Sequence, residues 1–182
     1  MRIKEKNKKS ILILGICIMV AASAGFMLGG HKASEYLNKT PLDEDTPLVR
    51  TAVDQVGEED GEKYWSWYGF DFAVDWCACF VSWCVNENKG EYENEMEPFC
   101  YVPSGVNWFM ENNQWKNAGA TPDGGDIIFF DWDCSGIADH VGIVTGTDEN
   151  YVYTVEGNSR DMCRRKAYPL NCESILGYGH LK

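Results

Sequence analysis

The sequence predicts an α+β fold: helices in the first half, packed on an antiparallel sheet supplied by the second half. Two observations carry this. Apolar residues recur at helical spacing up to about residue 110, and after residue 125 they group into short runs separated by turn residues. A third observation sets what precedes the fold. The first thirty residues pair a basic start with a long uncharged stretch, the pattern of a signal peptide or membrane anchor.

That leading segment comes first. Residues 1–10 carry a net charge of +4, from Arg2, Lys4, Lys6, Lys8 and Lys9 against Glu5. The run from Ser10 to Gly30 holds no charged side chain and is long enough to cross a bilayer as a helix. Ala22-Ser23-Ala24 resembles a small-residue cleavage site, so a cleaved signal peptide is the alternative. The apolar stretch continues past that site, which favours an anchor. In either case the basic flank stays in the cytoplasm. The body is expected to be exported, held on the cell membrane by one span or released to the cell wall. Residues 31–44 are polar and aperiodic and read as a linker, leaving 45–182 as the folded domain.

Asp45-Thr46-Pro47 is a helix start, and Leu48, Ala52, Val53 and Val56 share one face before Gly57 ends the run. Residues 58–75 read as an acidic, aromatic loop. Its Tyr64, Trp65, Trp67, Tyr68 and Phe70 serve either to cover the core or to line a substrate site. A second helix is expected from about Trp76 to Asn86, with Asp75 as its cap. Residues 86–97 read as a surface loop, and a third helix begins near Pro103. Strands follow at 126–130, 140–144 and 151–155, with a short last one at 175–178.

Charge and cysteine content narrow the function classes. The chain carries −12 overall, so the part after residue 10 carries −16. Such a body repels nucleic-acid phosphates, and no nucleic-acid partner is expected. Cys77, Cys79, Cys84, Cys100, Cys134, Cys163 and Cys172 lie outside the apolar segment, an odd number. If one stays free as a nucleophile, the other six suffice for three disulfides in an oxidising compartment. Cys163 and Cys172 flank Lys166-Ala167-Tyr168-Pro169 and are the candidate pair across a hairpin.

Cys77 is the candidate nucleophile. It falls where the second helix begins, and unpaired N–H groups and the helix dipole favour a thiolate there. Cys79 points about 200° away around the helix and should face the core. Cys84 returns to the face of Cys77 but lies about 10 Å along the axis, beyond disulfide reach. His140 opens an apolar strand and is the candidate base. Glu156 and Asn158 follow the next strand, two residues apart and so on one side. Either can accept from the far ring nitrogen of His140 and fix its tautomer. A thiol–disulfide oxidoreductase would want Cys-x-x-Cys at the helix start, where this chain has Cys-x-Cys. A zinc module of Cys77, Cys79, Cys84 and His140 is opposed by the divergence of the helical cysteines.

Trp76-Cys77-Ala78-Cys79-Phe80-Val81-Ser82-Trp83 closely resembles the cysteine motif of CHAP domains. Residues 122–130, beginning Pro122-Asp123-Gly124-Gly125-Asp126, resemble the family's proline–glycine–aspartate strand. His140-Val141-Gly142-Ile143-Val144, Glu156-Gly157-Asn158 and Gly177-Tyr178-Gly179 resemble later blocks, in family order. The resemblance implies a papain-like α+β fold. It also implies a cysteine amidase or endopeptidase acting on the peptide part of peptidoglycan. Cys77 would be the nucleophile, His140 the general base and acid, Glu156 its orienting partner, and Asn158 a further polar member. An inactive wall-binding module of the same fold is the alternative. Some relatives bind calcium through carboxylates before the cysteine. Asp71 and Asp75 stand there but make no dense oxygen loop, so no metal or other cofactor is expected.

Overall fold

The computed structural model describes residues 41–92 and 96–181. The expected anchor, residues 1–30, and most of the expected linker lie outside them. Among the described residues no helix is long and apolar enough to cross a membrane. Among the described residues four helices precede the sheet: α1 (Pro47–Val53), α2 (Glu62–Tyr68), α3 (Cys77–Glu87) and α4 (Val102–Glu111). Six strands follow: β1 (Trp115–Asn117), β2 (Ile127–Phe130), β3 (His140–Thr147), β4 (Tyr151–Glu156), β5 (Arg164–Pro169) and β6 (Ile175–Gly179). All pair antiparallel in one sheet, ordered β1-β6-β2-β3-β4-β5. Helices before an antiparallel sheet is the arrangement the patterning predicts.

The central helix is α3. Its Cys77, Ala78, Cys79, Phe80, Val81, Ser82, Cys84 and Val85 are all buried. A helix apolar nearly all round must be covered on several sides. It packs against α1, α2, β3 and β4. One apolar layer joins Phe80 and Val81 to Ile127, Phe129, Val141, Ile143 and Val155 of the sheet. A smaller layer joins Ile128, Phe130, Val144, Val152, Ile175 and Tyr178. The alternation of adjacent strand residues between the two layers is the period-two signature of a sheet buried on both faces. Ser82, the polar residue inside α3, is satisfied by the loop beside it. Its hydroxyl donates to Phe99 O at 2.7 Å and accepts from Phe99 N at 2.9 Å.

Four expectations are corrected. Residues 58–75 are not all loop, because α2 forms between Gly61 and Gly69, both with left-handed φ. Only two turns long, α2 is held by Tyr64, which is fully buried and stacks on Trp76 at 5.3 Å. Tyr64 thus belongs to the core, whereas Phe72 is exposed. The sheet also gains β1 and β5, two edge strands that the alternation pattern misses. β5 reads Arg-Arg-Lys-Ala-Tyr-Pro, and its charges and terminal proline are what an edge strand uses to stay unpaired on its outer side. Asp75 does not cap α3, which begins after Trp76 without a side-chain cap.

The fourth correction concerns disulfides. All seven cysteines outside the N-terminal segment are free thiols. Cys163 and Cys172 cannot meet because β5 runs extended between them, separating its ends by roughly 20 Å at the rise of a strand. Cys163 sits in the core, 3.5 Å from the Tyr64 hydroxyl, while Cys172 packs against the second layer. At the other boundary, residues of the expected linker lie on the body: Asp43 N donates to Thr145 O in β3 at 2.8 Å.

Candidate active site

Cys77 is the first residue of α3. The turn of backbone before it is fixed by Trp76, whose ring packs on Tyr64 and whose Nε1 donates to Asp161 Oδ1 at 3.2 Å. The first N–H groups of α3 have no side-chain acceptor. Unpaired N–H groups and the helix dipole make that end of a helix favourable to negative charge. Behind the thiol, α3 packs on β3 and β4, which bring His140 and Glu156 to its first turn.

His140 opens β3 beside Phe130 of β2. Its Nε2 lies 3.0 Å from Glu156 Oε2, and the Cys77 side chain is the other group that acts on the ring. With Nε2 engaged, Nδ1 is the nitrogen left for the thiol. Burial pulls the His140 pKa down. The hydrogen bonds to Cys77 and Glu156 and their negative charges outweigh it, pushing the value up to about 10. The charged form of His140 is thus favoured at neutral pH.

Glu156, the last residue of β4, is 1% exposed. A carboxylate buried that deeply needs several donors. Besides His140, the Thr154 hydroxyl donates to Oε1 at 2.6 Å and the Tyr168 hydroxyl to Oε2 at 3.2 Å. Room for it comes from Gly142 in β3, where an added Cβ would stand 2.6 Å from Glu156 Cγ.

Of the four residues singled out in the sequence, the structure brings Cys77, His140 and Glu156 together. Asn158 turns elsewhere: it has left β4, sits at φ 55°, and its Nδ2 donates to Asp75 Oδ1 at 3.2 Å. That bond ties the turn after β4 to the residue two before the thiol. The period-two argument for Glu156 and Asn158 fails because the strand ends between them. Thr154 was legible only as the residue two before Glu156 on the same strand. Tyr168 gave no signal, since β5 itself was not recognised.

The other buried thiols are in different surroundings. Burial holds Cys79 up at about 12 and Cys163 at about 11, and it raises Cys84 well above the ordinary thiol range. They remain protonated core groups. Of the carboxylates before the cysteine, Asp75 is engaged by Asn158. A closer acidic cluster lies in the loop before His140, where Asp131, Asp133 and Asp139 each bring an oxygen within 4.8 Å of the others. Such oxygens suit a hard cation. Here they accept backbone N–H bonds, Asp131 from Ser135 and Gly136, and Asp139 from Trp132. A second group, Asp123, Asp126 and His180, already holds the Lys116 ammonium, 2.9 Å from both carboxylates. An open depression of about 440 Å³ between Ala118 and Ile175 is not lined by any of the site residues.

The family model described as the CHAP domain matches residues 67–158, just over half of the chain. That span contains Cys77, His140, Glu156 and Asn158 and stops before β5. No curated protein matches the sequence. Among solved structures, the chain is similar to the crystal structure of Ly7917, with a TM-score of 0.47 and 16% identity over 74% of this chain. It is also similar to Ly7917 with the hydrolyzing product of MDP, with a TM-score of 0.48 and 16% identity. The match takes in 61% and 62% of those chains, so this chain spans about three-fifths of their length.

Proposed function

The chain belongs to the CHAP domain family, and from that premise we propose that it is a peptidoglycan hydrolase cleaving an amide of the peptide moiety through Cys77 and His140. One observation carries the reading: a thiol at the first turn of a buried helix, beside an imidazole whose Nε2 rests on a buried carboxylate. That is the nucleophile–base–orienter chain of thiol-dependent acyl transfer.

In the proposed cycle the Cys77 thiolate attacks the amide carbonyl carbon. The backbone N–H groups at the start of α3 face the oxygen that becomes anionic. The C–N bond breaks as the His140 imidazolium gives its Nδ1 proton to the leaving amine. Water then attacks the thioester, His140 takes its proton, and the acid departs with the thiolate restored. Glu156 keeps Nε2 protonated throughout, so that Nδ1 alone exchanges the proton. Asn158 acts through Asp75, bracing the turn beside the thiol.

The basic start and long apolar run of residues 1–30 support export, with the domain held at the outer face of the cell membrane or released to the wall. The substrate bond is either muramoyl–L-alanine or an amide within the stem peptide or cross-bridge. Digestion of purified peptidoglycan by the full chain tests this, with Cys77→Ala as control and fragment masses naming the bond. The reading predicts release by the wild type alone. Equal release by both proteins would remove Cys77 from the mechanism. Binding without release would favour a wall-binding module.

A further inference from the structure

The carboxylate of Glu156 has three hydrogen-bond partners, and the proposed cycle uses only His140. We propose that Thr154 and Tyr168 are positioning residues that hold the Glu156 carboxyl group oriented on His140. The inference rests on the reading of Cys77 and His140 as the catalytic pair.

The geometry gives each of them a distinct part. Thr154 precedes Glu156 by two residues on β4, so both side chains leave the same face. Its hydroxyl takes Oε1 at 2.6 Å. The Tyr168 hydroxyl, from the neighbouring strand, takes Oε2 at 3.2 Å, the oxygen that also accepts from His140. With both oxygens engaged, the carboxylate cannot rotate away from Nε2 without losing a bond. The ring of Tyr168 also contributes. It lies 4.9 Å from Phe130 and 5.6 Å from Trp132, and Phe130 in turn lies 5.9 Å from His140. These aromatics cover the ion pair on the side away from α3 and lower its exposure to water.

The other charged groups facing Glu156 do not replace these two. Arg164 stands opposite Glu156 in the β4–β5 register, but its Nε donates to Ser159 O at 2.8 Å. Lys166 stands opposite Thr154. From α3 the facing group is the Cys77 thiol, and from β2 it is apolar Phe130. Burial, followed by the Glu156 charge, holds the Tyr168 hydroxyl far above the ordinary phenol range, so it remains a donor at any working pH.

The test is the ring titration of His140 by NMR in the full chain, for wild type, Thr154→Val, Tyr168→Phe and Thr154→Ser. Each lost donor frees one carboxylate oxygen to turn and loosens the contact with Nε2. The His140 midpoint is expected to fall by about one pH unit in Thr154→Val and in Tyr168→Phe. Thr154→Ser, which restores the hydroxyl, should titrate like wild type. On peptidoglycan, kcat should fall about tenfold in the first two variants with KM unchanged. A His140 midpoint that does not move in Tyr168→Phe, or that moves as far in Thr154→Ser as in Thr154→Val, would overturn the proposal. Should Thr154→Val not fold, Tyr168→Phe and Thr154→Ser still decide it, since one keeps the packed ring and the other the hydroxyl. Because the titration needs no substrate, shifted midpoints in a protein that leaves peptidoglycan intact would support the positioning role while removing the hydrolase reading.

Discussion

His140 lies between two groups that favour its charged form, and this fixes how the site should respond to pH. Its pKa is raised from 6.5 to about 10, so folding takes up a proton here that the unfolded chain releases above 6.5. The stabilisation from the charged His140 is therefore complete below about 6.5 and fades as pH rises through about 10. Glu156→Gln removes one of the two partners that raise the His140 pKa. Its melting temperature should fall less steeply than that of wild type between those pH values, which calorimetry across the range would check. The same substitution should bring down the alkaline limb of the pH–activity profile. It should also lower kcat/KM ~100-fold or more, the order seen when an orienting carboxylate is lost. An unchanged alkaline limb would separate His140 from the reaction.

At the level of elements, the site exists because α3 meets β3 and β4, and two glycines leave the room it needs. An added Cβ at Gly142 would stand 2.6 Å from Glu156 Cγ and 3.1 Å from Val155 O. At Gly157 it would stand 2.5 Å from Phe80 Cβ, in the helix itself. Gly142→Ala should destabilise the fold by about 1–3 kcal/mol, as overpacking does, and displace Glu156. Urea unfolding and the His140 titration would register the two effects separately. Trp76→Ala should cost more, about 3–5 kcal/mol, because it empties the stack under Tyr64 and frees the start of α3. These contacts also explain what was legible in the sequence. α3 and the strands β2, β3 and β4 announce themselves because their apolar periods are long. Cys77, His140 and Glu156 are each anchored to one end of such an element, so the three could be assembled in advance. α2 is a near-continuous aromatic run that shows no period, β1 is too short to show one, and β5 is too polar. Each is held by tertiary packing, Tyr64 on Trp76 and β5 on β4. Tyr168 is hidden with its strand, and the alternation does not reach Asn158 because β4 ends at Glu156, two residues before it.

The whole molecule is acidic, at −12, and five of its 16 basic residues stand in the first ten. A body of that charge is repelled by an anionic wall, and screening should relieve the repulsion. Binding of the full chain to isolated anionic walls should therefore strengthen as salt rises from low concentration, measured by co-sedimentation. Weakening would point to a cationic contact in the leading segment. The central claim is that Cys77 becomes acylated during turnover, and it can be read directly. The full chain is mixed with a soluble muropeptide, quenched in acid on the millisecond-to-second scale, and its peptides are weighed. The account predicts a transient mass increase equal to the acyl fragment, on the peptide bearing Cys77, and none in Cys77→Ser. Cleavage of the muropeptide with no adduct at any time, or with the adduct on another residue, would contradict it.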